Sequence, residues 1–230
     1  MSEELAFEAC AELANEILEK QGRPERYTGP QLLKDFVGQN FRGMMVSLQK
    51  LYNFTLPADE FDAYVEKELG KVIEKLKASA RPCDGVMDVL ARLEKEKKYH
   101  LAVVSSSALS RVHASLEKIN ADKYFKRDEV YSAASSLPKP TSKPDPAVYL
   151  LACEKLGAKP EECVAIEDSK SGATAAKNAG IPLIGYVGPY EEDEKEKMIK
   201  TLRDECGAIV VMKHWREFYD AMKQVEQKVQ

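Results

Sequence analysis

The sequence predicts an α/β protein in which a Rossmann-like, doubly wound parallel sheet is joined to a separate bundle of helices. Residues 1–80 carry helical patterns alone, whereas from Val86 onward apolar runs of strand length alternate with helical patterns. That alternation builds a parallel sheet with helices on both faces. The run YHLAVVSS, residues 99–106, is too continuously apolar for a strand with one wet face, which indicates a buried sheet. We therefore expect a helical domain over 1–80 and an α/β core domain over 81–230.

The helical part is predicted from amphipathic periodicity. In the first helix, apolar residues recur every four positions before a glycine ends the pattern: Leu5, Ala9, Leu13, Ile17 and then Gly22. Three further helices are predicted near Pro30, over 41–52 and over 57–76. Short connections between four such helices are typical of a small bundle.

The α/β part is predicted to contain five strands, at 99–106, 129–135, 163–168, 182–188 and 208–213. One connecting helix is predicted at 108–119. Another is predicted at DPAVYLLACEKLG, with Asp145 as its N-cap, Pro146 in its first turn and Gly157 at its end. The aromatic segment 214–224 predicts an amphipathic helix that packs on the core.

Composition and charge argue against several classes of protein. The net charge of −4 disfavours nonspecific binding to nucleic acid or to anionic membranes. No apolar run approaches the roughly 20 residues that a membrane-spanning helix needs, and the N-terminal MSEELAFEAC lacks the pattern of a signal peptide. The five cysteines are scattered without C-x-x-C spacing, which is typical of reduced thiols in a cytoplasmic protein.

Three predicted strands are followed by residues that suit a bound ion. Ser105–Ser107 end the first strand, Lys143 follows the second, and Glu167 and Asp168 end the third. Each signal is weak alone, because serines commonly cap helices, single lysines usually lie on the surface, and Asp168 could cap the helix that follows it. Ligands of open parallel sheets gather at the carboxyl ends of the strands, however. The three ends together therefore predict a phosphate site with an acid pair that suits Mg²⁺.

In this order, the segments LAVVSSS, SKPDPAVY and CVAIEDSKSGATAAKNAGI resemble the haloacid dehalogenase (HAD) superfamily. The likeness is closest to its beta-phosphoglucomutase-like and sugar-phosphatase branch. It covers nearly the whole chain, and the helical part corresponds to the family's cap. The resemblance implies a HAD-like core and a hydrolase that acts on a small phosphorylated metabolite with Mg²⁺.

The resemblance also implies a role for each polar residue at the first two strand ends. Ser105 matches the hydroxyl that hydrogen-bonds the transferring phosphoryl group, and Ser106 and Ser107 would line the same pocket. Lys143 matches the lysine that neutralises the charge of phosphate and nucleophile. These roles amount to positioning and charge neutralisation, which dominate phosphoryl transfer.

Two further assignments concern the metal and the substrate. By resemblance, Glu167 and Asp168 match the acids that bind Mg²⁺ directly or through water. Arg42 lies in the cap segment GQNFRGMM, which in related enzymes reaches over the site and reads the substrate. Arg42 would there bind a second phosphate or a carboxylate, unless it is a surface arginine beside a helix start.

The sequence departs from the family at one motif. Family members have a first strand ending in D-x-D-G, whose first aspartate attacks phosphorus and whose second acts as general acid and base. The 230 residues contain no D-x-D. Without it we expect no aspartyl-phosphate intermediate, weak or absent turnover and a weakened Mg²⁺ site. A truncated sequence, a natural short form without phosphatase activity, and other chemistry by the remaining groups all stay open.

The same departure has a structural consequence. In the family's strand order the missing strand lies between those at 99–106 and 163–168. We expect these two strands either to close up and pair or to take another segment between them, because unpaired buried backbone groups are costly. An unsatisfied edge could also recruit a partner or make a homodimer. The alternative function is therefore a non-catalytic member that binds a phosphate ligand or another protein.

Overall fold

The structure is a computed structural model that describes residues 2–36 and 39–229. The chain forms two compact units. The first comprises Met1–Arg81 with Glu117–Ile119, and the second comprises Pro82–Leu116 with Asn120–Gln230. Among the helices that the structure describes, none combines the length and the apolar composition that a bilayer crossing requires.

The first unit contains the predicted helices, which are α1 (Ser2–Lys20), α2 (Gly29–Asp35), α3 (Phe41–Leu51) and α4 (Ala58–Ser79). Side-chain hydrogen bonds cap the N-termini of two of these helices. Thr28 and Gln31 form a capping box before α2, and Asn40 accepts a hydrogen bond from Gly43 N before α3. The apolar sides of the helices meet in one core that includes Leu13 and Leu48. Amphipathic periodicity therefore located these helices correctly.

The second unit contains the remaining helices and all the strands of the described residues. The α-helices are α5 (Val86–Glu96), α6 (Leu109–Lys118), α7 (Ala147–Leu156), α8 (Lys170–Asn178), α9 (Glu192–Lys200) and α10 (Phe218–Val229). The strands are β1 (Val103–Ser105), β2 (Val130–Ser132), β3 (Ala165–Glu167), β4 (Leu183–Tyr186) and β5 (Val210–Met212). All five predicted strands are confirmed, each shorter than predicted.

Apolar clusters cover both faces of the sheet formed by β3, β4 and β5. Leu183 and Val187 belong to one cluster, which also contains residues of α8. Ile184 and Tyr186 belong to the opposite cluster, which contains residues of α5 and α10. Because side chains of a strand alternate between faces, this arrangement confirms the doubly wound architecture.

The strands pair in parallel but form two separate groups. β1 pairs with β2, and β3, β4 and β5 form a second sheet in that order. No strand pairing joins β1 to β3 in the described part of the chain. The expectation that these two strands pair directly is therefore wrong, and the alternative, in which another segment lies between them, stays a prediction.

Helix α7 packs against both groups of strands. Val148 of α7 lies in the cluster that contains Tyr131 of β2, whereas Tyr149 and Cys153 lie in the cluster that contains Ala165 of β3. The helix is thus anchored on both sheets at once. These buried contacts hold β1 and β3 in place although no backbone bond links them.

The start of α7 differs from the prediction. Pro146, and not Asp145, occupies the N-cap position. Asp145 still contributes, because its Oδ1 accepts a hydrogen bond of 2.8 Å from Ala147 N. Gly157 ends the helix in the left-handed conformation, as predicted.

Candidate functional site

Lys143 connects the carboxyl ends of two strands, β1 and β3. Its ammonium contacts Glu167 Oε1 at the end of β3 and donates a hydrogen bond of 3.0 Å to the carbonyl of Val104 in β1. Its backbone N donates a bond of 3.0 Å to Ser106 Oγ, directly after β1. The side chains of Lys143 and Glu167 are only 9% and 8% exposed. The structure therefore brings together Ser106, Lys143 and Glu167 from the predicted site.

The carboxylate of Glu167 is held by a second donor and by a glycine. The hydroxyl of Tyr149 donates to the same Oε1 that Lys143 contacts. Burial, reinforced by the negative charge of Glu167, raises the pKa of Tyr149, so this hydroxyl keeps its proton. Glu167 also lies against Gly172 of α8, where an added Cβ would come within 2.7 Å of Oε1 and closer still to Oε2. Only glycine leaves room for the carboxylate there.

The serines after β1 form a tight turn. Ser105 Oγ accepts a hydrogen bond of 3.1 Å from Ser107 N, and the carbonyl of Ser107 accepts one of 2.7 Å from Ser132 Oγ. The first amide of α6, Leu109 N, donates a hydrogen bond of 3.3 Å to Ser135 Oγ. Ser105 is half-buried and Ser107 is exposed. The Ser106 hydroxyl of this turn therefore contacts Lys143, and local bonds already use part of the turn's hydrogen-bonding capacity.

Asp168 is exposed, unlike its neighbour Glu167. Its backbone carbonyl accepts a hydrogen bond of 3.0 Å from the Tyr190 hydroxyl. The possibility that Asp168 caps α8 is wrong, because Ser169 is the N-cap and accepts a bond of 3.1 Å from Gly172 N. The Asp168 carboxylate is therefore not needed by the helix.

Arg42 belongs to the first unit and to α3. Its guanidinium forms an ion pair of 2.6 Å with Asp62 of α4 and lies 5.1 Å from the centre of the Phe61 ring. Both charged side chains are more than half exposed. Gly38, the first residue of the predicted cap segment, lies outside the described residues. The role of Arg42 in substrate binding stays a prediction.

The residues present do not by themselves fit a complete Mg²⁺ site. Of the two adjacent acids, Glu167 is committed to Lys143 and Tyr149, and only Asp168 is exposed. Within residues 2–36 and 39–229, no three Asp, Glu, His or Cys side chains form a group that could hold a metal ion. Mg²⁺ prefers six oxygen ligands, so such an ion would need donors beyond these two carboxylates.

An open cavity of about 270 Å³ lies at the start of α5, and its lining consists of Pro82, Cys83, Asp84, Gly85, Met87 and Asp88. None of the predicted site residues lines it. Burial raises the pKa of the Cys83 thiol, and the charge of Asp168 adds to that rise. The cavity is thus within electrostatic reach of Asp168, but its thiol is protonated and its acid Asp84 is paired with His214 at 2.8 Å.

The arrangement at the strand ends suits an anion. An ammonium group has three donors, and the two acceptors described for Lys143 leave one donor for a ligand. Because Lys143 is already paired with Glu167, the site offers an anion this remaining donor and not an uncompensated positive charge.

Sequence reasoning missed two residues of this site. The sequence predicted that Tyr149 lies in a helix and that Gly172 is a small residue of the segment after Asp168, but it gave neither a role in the site. Their common feature is contact with Glu167, 18 and 5 residues away along the chain. No periodic pattern signals such contacts. The acid pair itself was the available clue, because a buried Glu167 requires donors.

Comparison with known proteins agrees with the fold and shows the family. The family model described as "Haloacid dehalogenase-like hydrolase" matches residues 6–186. The "Phosphorylated carbohydrates phosphatase" of Thermotoga maritima is 30% identical over 224 residues, which cover 97% of this chain and 93% of that protein. "Hexitol phosphatase B" of Escherichia coli (strain K12) is 33% identical over 139 residues, 60% of each chain.

A solved structure extends the comparison to the fold. The crystal structure of a HAD hydrolase of family IA, variant 3, from Entamoeba histolytica matches with a TM-score of 0.73. The match covers 96% of this chain and 92% of that chain at 20% identity. This likeness concerns the fold alone.

Proposed function

Because the chain belongs to the haloacid dehalogenase-like hydrolase family, in its sugar-phosphatase branch, we propose that it binds phosphate monoesters of small carbohydrates at its strand ends. One observation carries the proposal: the buried ammonium of Lys143 lies between the ends of β1 and β3 with one donor to spare. The names of the relatives support the carbohydrate class of the ligand.

In this proposal, some residues contact the phosphate and others hold Lys143 in position. Lys143, paired with Glu167, supplies a charged hydrogen-bond donor for the phosphate, and its backbone N–H bonds the Ser106 hydroxyl. Ser105 supplies a hydroxyl at the start of the same turn. Tyr149 and Gly172 keep Glu167 beside Lys143, so the ammonium is fixed before any ligand arrives.

Turnover by these 230 residues alone is proposed to be slow or absent. They contain no D-x-D, so the carboxylate pair that the family uses for attack and proton transfer is missing. Mg²⁺ is proposed to bind weakly, with Asp168 as its exposed carboxylate. A cytoplasmic location is proposed as well, and the scattered cysteines of the sequence support it.

Calorimetry with a hexitol 6-phosphate tests the binding proposal. Wild-type protein is expected to bind this ester and inorganic phosphate but not the unphosphorylated hexitol. Lys143→Met should weaken binding at least about tenfold, as expected for losing a charge-assisted hydrogen bond. Lys139→Met is the matched control, because Lys139 is an exposed lysine four residues earlier. Equal binding by the two variants would contradict the proposal.

Release of inorganic phosphate from the same ester, with and without Mg²⁺, tests the proposal on turnover. Binding without release is expected, and it would favour the non-catalytic, ligand-binding form of the function. Robust Mg²⁺-dependent release that Asp168→Ala abolishes would contradict it. That result would mean that another residue replaces the missing aspartate.

A further inference from the structure

Two of the five cysteines lie in contact within the second unit. Cys153 Sγ donates a hydrogen bond of 3.8 Å to Cys163 Sγ, and both are free thiols. Cys153 belongs to the last turn of α7 and is only 5% exposed, whereas Cys163 lies two residues before β3 and is half-buried. Two sulfurs this close suit thiol–disulfide chemistry, which one thiol cannot complete alone.

The chain between the two cysteines is held by its own hydrogen bonds. Gly157 ends α7 in the left-handed conformation and so reverses the chain direction. Ala158 N donates a bond of 3.0 Å to the carbonyl of Cys153, and Cys163 N donates one of 3.1 Å to the carbonyl of Pro160. The positions of the two sulfurs are therefore determined by local backbone structure.

The cysteine pair lies on the same two elements that hold the Glu167 carboxylate. Tyr149 lies one helical turn before Cys153 on α7, and its hydroxyl donates to Glu167 at the end of β3. Tyr149, Cys153 and Ala165 belong to one apolar cluster, against which Cys163 packs. Helix α7 thus contacts β3 through Tyr149 at the carboxyl end and reaches the segment before β3 through Cys153.

We propose that Cys153 and Cys163 form a reversible oxidation site, at which a peroxide converts the two thiols into a disulfide that joins α7 to the segment before β3. The inference goes beyond the binding of a phosphate ester, because it concerns a covalent modification away from the strand ends. It would stand if no phosphate bound. A disulfide of this kind is transient in a reducing compartment and forms when oxidant is present.

Cys163 reacts first, because it is the more exposed of the two thiols. Its thiolate attacks one oxygen of hydrogen peroxide, the O–O bond breaks, and the departing hydroxide takes up the proton that the thiol released. Cys163 is then a sulfenic acid. The sulfur of Cys153 attacks the sulfur of Cys163, the S–O bond breaks, and the hydroxide leaves as water with the proton of Cys153. In sum, two thiols lose two protons and two electrons, and the peroxide is reduced to two molecules of water.

The surroundings of Cys163 make the first step slow and the second step fast. Burial raises the pKa of Cys163 to about 11, and Cys153, Glu162 and Glu161 add to the rise. Little thiolate exists near neutral pH, so the sulfenic acid forms slowly. Once formed, it lies beside Cys153 and is consumed before a second peroxide oxidises it further. The pair is therefore expected to respond to sustained exposure to oxidant.

Peptide mapping of the full chain tests the proposal. Lys155 lies between the two cysteines, so trypsin places them in separate peptides, 128–155 and 156–170. Treatment with excess hydrogen peroxide, followed by alkylation of the remaining thiols, is expected to leave these two peptides joined. Dithiothreitol should separate them again.

Single substitutions identify the two cysteines and their roles. Cys163→Ser should abolish the joined peptides, whereas Cys83→Ser, which removes another half-buried thiol, should leave them unchanged. In Cys153→Ser, no second thiol resolves the sulfenic acid of Cys163. Dimedone should then trap at least about tenfold more sulfenic acid than in the wild type.

The disulfide should also stabilise the folded chain, because it joins residues ten positions apart and so restricts the unfolded state. Oxidised wild-type protein is expected to melt about 5–10 °C above the reduced protein. Cys83→Ser should show the same rise, and Cys163→Ser should show none. None of these measurements involves a phosphate ester, so their failure is distinct from a failure of phosphate binding.

Three results would overturn the proposal. One is wild-type protein in which both thiols survive the peroxide, or in which Cys163 becomes a sulfinic acid without any disulfide. Another is a disulfide that links either cysteine to a second chain, seen as a covalent dimer on a non-reducing gel. The third is a Cys153–Cys163 disulfide that leaves the melting temperature unchanged or lowers it.

Discussion

Replacing Gly172 by alanine tests how the Glu167 carboxylate is held. A Cβ at this position would lie 2.7 Å from Glu167 Oε1 and closer still to Oε2 and Cδ, so the carboxylate must leave. Glu167 would then lose its ion pair with Lys143 and its hydrogen bond from Tyr149. Breaking a buried ion pair costs about 3–5 kcal/mol, whereas alanine gains roughly 0.5–1 kcal/mol over glycine in a helix. The expected net loss is about 2–4 kcal/mol of unfolding free energy.

Urea denaturation followed by circular dichroism measures this loss. In a separate thermal scan, the same loss should lower the melting temperature of a chain of this size by about 5–15 °C. Gly70→Ala in α4 is the matched control, because no atom lies within 4 Å of its added Cβ and stability should rise slightly.

A double-mutant cycle identifies the cause. Glu167→Ala removes the side chain that the new Cβ strikes, so Gly172→Ala should cost nothing in that background. The reasoning is refuted if Gly172→Ala leaves stability unchanged in the wild type. It is equally refuted if the full cost persists without Glu167.

Three further predictions concern other contacts. Tyr149→Phe removes a donor to Glu167 and should lower the unfolding free energy by about 1–2 kcal/mol in the same assay; an unchanged midpoint would contradict it. Ser169→Ala removes the N-cap of α8 and should cost about 1 kcal/mol, whereas no loss would mean that another group caps the helix. Hydrogen bonds from Lys71 and Lys75 lower the pKa of Glu12 below its usual 4.5, so its contribution is present above pH 4.5 and lost as the pH falls through the lowered value. Melting temperatures measured between pH 5 and pH 3 should therefore fall less in Glu12→Gln than in the wild type, and parallel curves would contradict this pairing.

Local patterns predicted most of the elements. The spacing from Leu5 to Ile17 located α1, because a buried stripe repeats with the helical period. The same rule missed α9, whose sequence EDEKEKMIK has too few apolar residues to form a stripe and contains no buried residue. Acidic residues in its first turn and lysines in its last turn favour this helix instead.

The candidate site was predictable only in part. Lys143 and Glu167 could be placed together because the carboxyl ends of parallel strands share one edge of a sheet. Glu167 is held by the hydroxyl of Tyr149 and by the close approach of Gly172. Both contacts depend on how α7 and α8 pack, and the spacing of residues in the sequence does not reveal that packing. The contacts of α7 with both groups of strands are likewise absent from sequence spacing, because they join residues that no local pattern links.

An NMR titration of labelled protein with a hexitol 6-phosphate tests the central claim most directly, because it reports where the phosphate group binds. Recognition at the strand ends predicts saturable shifts of the amides of Ser105–Ser107 and Lys143, with no such shifts from the unphosphorylated hexitol. Shifts confined to residues away from these strand ends, or the absence of any shift at millimolar ester, would contradict it.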